Sequence, residues 1–581
     1  MKRLYTYMII SLLLCACAKD VLNKSPLDRI SDDVLWSDPV LVEAFLTQCY
    51  GEMGFYNEMP YLSKTDFFAD MVMTGISDEA NSNWVATAKT HQITITGGEC
   101  EWWGYPTVRR LNQFIDRVET SPVSNSAQLI AEARFLRAFC YFNMVKRYGG
   151  VPLIVREQLM DDPEDELYRK RDREEAIYQF IVDEINDIVS SGALPPSFSG
   201  KDAGRATLYA ALALKSRAAM YAASIATWGK VQLDGVVGIP SGSANTFWQA
   251  SYDASKKIID AGQFALYNAK PDDKVANYRE LFLVKNHSEI IFAEGFDGLS
   301  GKGHSWDMWE NPLSYNVWGG GQQNAVYLEM VESYGNIDGT SGIIDRDKIN
   351  SGYLWTMDEL FGKKDPRFKA SIYTNETSWM NGEVKLDYHN GVITEEGELT
   401  TEAYKDVMGV GRCAAWTSPF GILKYLDESW GIVPERYYSK TDWIVFRLAE
   451  IYLNLAEAAF ELGKTEEARA AVNIIRERAG MPALQTITRD DIRAERKVEL
   501  AFEANRYWDV RRWRTAVDDL THAWSGLRYI LDYSTKKYRL SVVENAAGTP
   551  APYFEEKHYY LPITLSRTTN NKNLVENPGY E

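Results

Sequence analysis

The sequence predicts a mainly α-helical protein in which two groups of helices flank a long, loop-rich stretch. Apolar residues recur at helical spacing in eight segments, over 102–118, 128–148, 173–190, 206–223, 248–261, 443–462, 466–479 and 489–513. Between them glycine, asparagine, tryptophan and tyrosine dominate, with short strand-like runs such as 289–293. We therefore predict a helical scaffold at about 38–262 and 443–515, a loop-rich part at about 63–101 and 265–440, and a mostly irregular C-terminal tail.

One pair of predicted helices matches a known repeat. Residues 448–480 fit the 34-residue spacing of the tetratricopeptide repeat, a helical hairpin. Small residues at Ala456 and Ala459 let the two helices approach closely, and Gly463 permits the turn between them. Such hairpins stack into curved scaffolds, so the helical part is predicted to be tetratricopeptide-like.

The first seventeen residues have the pattern of an export signal that ends in a cysteine. Lys2 and Arg3 precede a mostly apolar run and the sequence Leu14-Cys15-Ala16-Cys17. This resembles a bacterial lipoprotein signal, with Cys17 as the lipid-modified first residue of the mature chain. The apolar run is shorter than the roughly 20 residues that span a bilayer. We predict a signal peptide at 1–17, a tether at 18–37 and a lipid anchor of more than one acyl chain, such as palmitate; an ordinary cleaved signal is the alternative.

Charge and cysteine content exclude several classes of function. The net charge is −18 and no basic patch offsets it, so a nucleic-acid partner is not expected. Beyond the signal the chain has four widely spaced cysteines without a CxxC motif, which argues against a zinc site. Their disulfide pairing is left open by the sequence; they are Cys49, Cys100, Cys140 and Cys413.

Four blocks of sequence resemble one known family. They are 131–138 (AEARFLRA) with 148–153 (YGGVPL), 447–453 (RLAEIYL), 495–503 (ERKVELAFE) with 506–513 (RYWDVRRW), and 561–563 (LPI) with 577–580 (NPGY). In this order, behind a lipoprotein signal, they resemble the SusD/RagB family of outer-membrane nutrient-binding lipoproteins over nearly the whole mature chain. The resemblance implies a single composite domain at 38–581, a place on the cell surface, and a SusC-type TonB-dependent transporter that receives glycans or, in RagB-like members, peptides.

The acidic residues of the third block tempt a catalytic interpretation. Glu499 lies at helical spacing from Arg496, Glu503 from Arg506, and Asp509 from Arg512. Such spacing favours ion pairs along a helix. We therefore interpret the block as structural.

Two stretches have the composition of a sugar-binding site, in which aromatic rings cover the flat face of a sugar and polar groups bind its hydroxyls. The first, 78–84, contains Asp78, Asn83 and Trp84, with Asp66 upstream. The second, 301–323, contains Trp306, Trp309, Tyr315 and Trp318. Burying three tryptophans of one loop without regular structure is difficult, so we expect open faces, first at Trp84 and Trp318. The alternative is that most of these rings pack loops onto the scaffold.

Arg367, in the sequence Asp365-Pro366-Arg367-Phe368, is a further candidate for the polar rim and alternatively a structural arginine. The sequence has no GxSxG motif, Walker loop or dinucleotide-binding fingerprint, so no enzyme is predicted. Asp338 and Asp345 are calcium-ligand types, but the full ligand spacing with a closing glutamate is missing. We expect no cofactor; calcium is an alternative that the spacing leaves unsupported.

The sequence predicts a non-catalytic, surface-exposed, glycan-binding lipoprotein. A peptide-binding lipoprotein is the first alternative, because a net charge of −18 favours cationic peptides. A surface glycoside hydrolase is the second; it would need two carboxylates roughly 5 to 9 Å apart across a cleft. The sequence does not identify the glycan.

Overall fold

Helices dominate the structure. The computed structural model describes residues 32–55, 74–82, 100–298, 302–312, 321–380, 382, 384–407, 418–430, 437–546 and 551–580. About 47% of the chain is helical and the strands are few and short. The prediction of a mainly α-helical fold is therefore confirmed.

The long helices pack against one another in succession to form the scaffold. No helix within the described ranges is long and apolar enough to cross a membrane. In chain order the helices are α1 (Asp32–Ser37), α2 (Pro39–Met53), α3 (Tyr105–Glu119), α4 (Ser126–Tyr148), α5 (Glu164–Leu167), α6 (Glu174–Ser191), α7 (Leu208–Trp228), α8 (Ala244–Asp260), α9 (Lys274–Glu280), α10 (Trp306–Glu310), α11 (Leu328–Ser333), α12 (Arg346–Asn350), α13 (Met357–Phe361), α14 (Pro366–Ser371), α15 (Leu448–Glu461), α16 (Thr465–Ala479), α17 (Arg489–Glu499), α18 (Arg506–Arg512), α19 (Ala516–Asp519) and α20 (Leu565–Asn570).

Local sequence explains where the scaffold helices begin and turn. The Asp38 carboxylate accepts a hydrogen bond from Val40 N at 2.8 Å and caps α2. The hairpin of α15 and α16 turns at Gly463, whose φ of +77° suits glycine. Ala456 and Ala459 are fully buried in that hairpin, as its close packing requires. The tetratricopeptide-like hairpin is confirmed.

Two predicted helices differ from the structure in kind and not only by a few residues at their ends. The predicted helix 443–462 begins only at Leu448, because 443–447 (WIVFR) is a fully buried strand of β-branched and aromatic residues. The predicted helix 489–513 is broken between α17 and α18, where Phe502 and Ala504 have φ values of +60° and +56°. The break turns the carboxylates of Glu499 and Glu503 toward one buried arginine, described below.

Short strands organise the loop-rich part. They are β1 (Ala80–Ser82), β2 (Ile290–Glu294), β3 (Asn324–Val326), β4 (Leu354–Trp355), β5 (Ile372–Tyr373), β6 (Ser378–Trp379), β7 (Val384–Lys385), β8 (Gly391–Ile393), β9 (Leu399–Thr400), β10 (Gly421–Ile422), β11 (Trp443–Arg447), β12 (Gly526–Asp532) and β13 (Lys537–Val543). They form sheets in the orders β1-β3-β10-β5, β4-β13-β12-β8-β9, β11-β2 and β6-β7.

The C-terminal tail contains a regular element that the sequence analysis missed. Strands β12 and β13 form an antiparallel hairpin with Gly526 opposite Val543 and Asp532 opposite Lys537. Their apolar residues alternate with polar ones, as in a sheet with one buried face. The prediction of a mostly irregular tail is wrong for 526–543.

A buried charge network joins the scaffold to the loop-rich part. Arg447, 1% exposed, donates to Glu289 at 2.9 Å, Glu499 at 2.7 Å and Glu503 at 2.7 Å. The Lys424 ammonium lies 2.8 Å from Glu503. The structural interpretation of the acidic block is confirmed, although most of its ion pairs reach across the fold instead of along one helix.

Three cysteines of the described residues are buried free thiols: Cys49, Cys100 and Cys140. Burial raises the pKa of Cys49 to about 12, so this thiol is unreactive near neutral pH. Cys413 lies outside the described residues.

Candidate functional site

Strand pairing brings the two predicted sugar-binding stretches together. Strands β1 and β3 are antiparallel, with Ser82 opposite Asn324 and Asn81 opposite Ala325. The chain therefore leaves β1 toward Trp84 at the same end of the ladder where the second stretch enters β3. Residues 78–82, 304–311 and 321–324 are all buried and border the predicted site. We call them the ligand face, as a name for the candidate site only.

Several predicted site residues lie outside the described residues. For these the structure gives no position, so their assignment to ligand contact stays a prediction. They are Asp66, Asn83, Trp84, Tyr315 and Trp318, and the predicted lipid-modified Cys17 is outside the described residues as well.

The prediction that Trp306 and Trp309 present open faces is wrong. Trp306 is 0% exposed and Trp309 is 7% exposed. The segment is a short helix, α10, instead of an irregular loop, and Trp306 Nε1 donates to Lys424 O at 3.1 Å. A short helix thus buries both rings, and they pack in the hydrophobic core.

Asp78 is an anchor and does not belong to an accessible polar rim. Its side chain is buried and accepts hydrogen bonds from Arg506 Nε and Lys497 Nζ, each at 2.8 Å. Although burial opposes it, the charges of Arg506 and Lys497 hold the pKa of Asp78 well below its usual range. The ion pairs fix the start of β1 to helices α17 and α18.

Arg367 is a structural arginine. It is 1% exposed, and its guanidinium contacts Asp365 at 2.7 Å, Glu495 at 2.5 Å and Glu499 at 2.9 Å. With its charge matched by three carboxylates in the interior, it is not available to a ligand. The rim prediction is wrong, and the structural alternative is supported.

Glu310 holds the entrance of β3 in place. Its buried carboxyl accepts hydrogen bonds from Asn324 Nδ2 at 2.9 Å and Asn324 N at 3.3 Å. Tyr373 of the same sheet donates its hydroxyl to Glu310 O at 2.9 Å. Burial, with no cationic partner among the described residues, raises the pKa of the Glu310 carboxyl to about 8.

Two further carboxyl groups of this region have raised pKa values. Burial, with a contribution from the Asp427 carboxylate, raises the pKa of Asp307 to about 7. Burial likewise raises the pKa of Glu79 to about 7, with Asp78 adding to the effect. Glu79 accepts hydrogen bonds from Phe502 N at 2.9 Å and Ser77 Oγ at 3.0 Å. These groups position the backbone of the ligand face.

A strained residue sits where the second stretch enters β3. Gln322 has a φ of +52°, a left-handed conformation that side chains other than glycine seldom adopt. Its amide Nε2 donates to Ser418 O at 3.3 Å and Phe420 O at 3.2 Å, which holds the residue in place. Strain of this kind concentrates at functional sites.

The sequence analysis missed the exposed aromatic residues that adjoin the ligand face. Tyr437 and Tyr438 are 37% and 46% exposed, and Tyr437 N donates to Ser305 Oγ at 3.2 Å. They lie in the sequence ERYYSK, which has neither tryptophan nor glycine. Tryptophan in glycine-rich loops therefore does not indicate this segment; the pair of adjacent tyrosines is the sequence feature that does.

No cluster of three or more metal-ligating side chains occurs within the described ranges. At the segment with calcium-ligand types, Asp338 accepts from Thr340 N at 3.0 Å and Asp345 caps α12. A buried lysine lies next to this segment: Lys364 Nζ donates hydrogen bonds to Val331 O, Tyr334 O and Gly342 O. Burial lowers the pKa of Lys364 to about 8.

Comparison with known proteins identifies the family. The model of the SusD family matches residues 288–580, half of the chain, and a model described as "Starch-binding associating with outer membrane" matches residues 25–220. The chain belongs to the SusD family, and the resemblance of its sequence blocks is confirmed.

Similar proteins cover nearly the whole chain. A SusD-like protein of Bacteroides ovatus is 25% identical over 98% of this chain and 96% of its own length. The starch-binding protein SusD of Bacteroides thetaiotaomicron is 24% identical over 91% of this chain and 87% of its own. The crystal structure of a SusD-like protein from Bacteroides fragilis NCTC 9343 is 25% identical, with a TM-score of 0.72 over 96% of this chain and 100% of that one.

Proposed function

We propose that this protein is a non-catalytic, lipid-anchored glycan-binding protein of the outer-membrane surface that passes oligosaccharides to a SusC-type TonB-dependent transporter. The observation that carries the proposal is the pairing of β1 with β3, which places the C-terminal end of the first described stretch beside the end of the second stretch on the helical scaffold. A relative over most of the chain is named for starch binding, and one family description mentions the outer membrane.

The chemistry of the ligand face favours binding without turnover. Hydrolysis of a glycosidic bond needs two carboxyl groups on either side of an open cleft. Asp307, Glu310 and Glu79 are each at most 1% exposed, and their hydrogen bonds fix protein groups. Release of reducing sugar by the purified protein would contradict this part of the proposal.

Glycan binding is tested by calorimetry with a panel of neutral oligosaccharides. The wild-type protein is expected to bind at least one of them, because aromatic faces and polar rims complement sugar rings. Replacing Trp84 and Trp318 with alanine is expected to weaken that binding by about tenfold or more, because two stacking rings are lost.

The control for that experiment is Tyr168→Ala, which removes an exposed ring, 44% accessible, from the segment that contacts the C-terminal tail. Its affinity should equal that of the wild type. Unchanged affinity in the tryptophan variants, with unchanged melting temperature, would remove these two residues from the site. If the wild type binds no oligosaccharide of the panel, the result counts against glycan binding itself.

Peptide binding is the second candidate function. The observation that favours it is the net charge of −18, which attracts cationic peptides. Mass spectrometry of material that copurifies with the protein separates the two proposals, since one predicts carbohydrate and the other peptide.

The proposed anchor leads to a prediction about location. Replacing Cys17 with alanine removes the acceptor of the lipid, and the variant is expected to leave the outer-membrane fraction for the soluble fraction. Cys15→Ala is the matched control and should stay in the membrane fraction. Retention of the Cys17 variant in the membrane fraction would contradict the proposed anchor. A separate experiment, crosslinking in wild-type cells, tests whether the protein contacts a SusC-type transporter.

A further inference from the structure

The backbone of residues 437–439 is fixed against the ligand face by main-chain pairing. His304 N donates to Ser439 O at 3.1 Å, and Ser439 N donates to His304 O at 3.0 Å. Tyr437 N adds the hydrogen bond to Ser305 Oγ. Since Ser305 directly precedes α10, this segment lies directly beside the ligand face.

Two glycines permit this close approach. A Cβ atom at Gly303 would overlap Tyr437 O, and a Cβ atom at Gly298 would overlap Tyr438 O. Gly298 also has a φ of +70°, which suits glycine. The two tyrosines are thus held on a backbone that has little freedom to move.

The rings are exposed although their backbone is fixed. Ser439 and His304 are buried at 1% or less, whereas more than a third of Tyr437 and nearly half of Tyr438 remain exposed. Both rings therefore offer apolar faces at the surface without needing to be ordered by a ligand, which lowers the entropic cost of binding.

Tyr437 is held in a strained conformation. Its φ of +71° lies in the left-handed region, which a bulky aromatic residue enters only when its surroundings impose it. Strain of this kind is found where a side chain must be presented in one orientation. The strain and the exposure are independent observations, and both point to ring presentation.

Charged side chains lie beside the rings. Lys440 is exposed and its ammonium lies 3.4 Å from the Asp427 carboxylate, while Asp297 and Lys302 are exposed on the paired segment. Donors and acceptors of this kind bind sugar hydroxyls at the edge of a stacked ring. The combination of ring faces with a polar rim suits a carbohydrate better than an apolar partner.

We propose that Tyr437 and Tyr438 form an aromatic subsite that takes one sugar ring of an oligosaccharide whose other rings bind outside this pair, beside the ligand face. The inference rests on the proposed carbohydrate-binding function and extends it to longer chains. A chain that reaches past α10 contacts the tyrosines, whereas the shortest ligand does not. The protein therefore binds longer oligosaccharides more tightly than the shortest ones.

The test measures affinity against chain length. Calorimetry uses a length series of the oligosaccharide that the wild type binds best, with wild type, Tyr437→Ala, Tyr438→Ala and the double variant. The double variant is expected to bind the longest oligosaccharides about tenfold more weakly and the shortest ones unchanged. Tyr438→Phe retains the ring and should bind like the wild type.

Two results would overturn the subsite, and they differ from failure of the proposed function. If the wild type binds carbohydrate but the double variant matches it at every length, the subsite is wrong and glycan binding stands. If the double variant loses short and long ligands equally at an unchanged melting temperature, the tyrosines belong to the primary site. If the wild type binds no carbohydrate, both proposals fail. Tyr168→Ala, with its comparable exposure, is the control and should show no dependence on length.

Discussion

Replacing Arg447 with methionine is expected to lower the free energy of unfolding by about 5 kcal/mol, the upper end of the range for breaking a buried ion pair. Arg447 contacts three carboxylates, those of Glu289, Glu499 and Glu503, and all four side chains are at most 7% exposed. Removing one guanidinium leaves several negative charges buried close together. The measurement is urea-induced unfolding followed by circular dichroism.

Two further variants sharpen the interpretation. Arg447→Lys keeps the charge but not the forked donor geometry, so it should be destabilised by less than the methionine variant. Arg156→Ala breaks an exposed ion pair with Asp162, at 2.8 Å, and should change stability by less than about 1 kcal/mol. If Arg447→Met and Arg156→Ala had equal effects, the network would not join the two parts of the fold.

Interactions close in sequence were predictable, and this explains the success with the scaffold. Helices such as α4 and α16 follow from apolar spacing within one segment. The Asp38 carboxylate caps α2 by accepting hydrogen bonds from the nearby Val40 N and Leu41 N. The start of β11 and the break after α17 depend on partners elsewhere in the fold. Apolar spacing within one segment carries no information about those distant partners.

The candidate site was less predictable for the same reason. Asp78 and its two cationic partners are separated by 419 and 428 positions in the chain, so nothing near Asp78 shows that its charge is already matched. Composition indicated two stretches, and β1 and β3 bring their adjoining ends together. It could not distinguish Trp306, which turns into the core, from Tyr438, which stays exposed.

Replacing Glu310 with glutamine is expected to change how stability depends on pH. The pKa of Glu310 is raised by burial from its ordinary value of 4.5 to about 8 in the folded protein. Below about pH 4.5 the carboxyl is protonated in both states and costs nothing. Between about pH 4.5 and 8 the unfolded chain releases the proton and the folded one keeps it, so stability falls as pH rises. Glutamine has no proton to release and should remove this loss, on the order of 3 to 5 kcal/mol at pH 9.

Glu499→Gln is the matched comparison, because Glu499 is equally buried but surrounded by arginines. Although burial opposes it, the charges of Arg478, Arg447 and Arg367 hold the pKa of Glu499 well below its usual range. Its charge therefore stabilises the fold at and above neutral pH, and glutamine there should be destabilising. The same substitution at two fully buried glutamates is thus expected to have opposite signs at pH 9. Urea unfolding of both variants at pH 5, 7 and 9 measures these effects. Destabilisation of both variants at pH 9 would contradict the prediction, because it would show that the Glu310 carboxylate is ionised and paired with a cation in the folded protein.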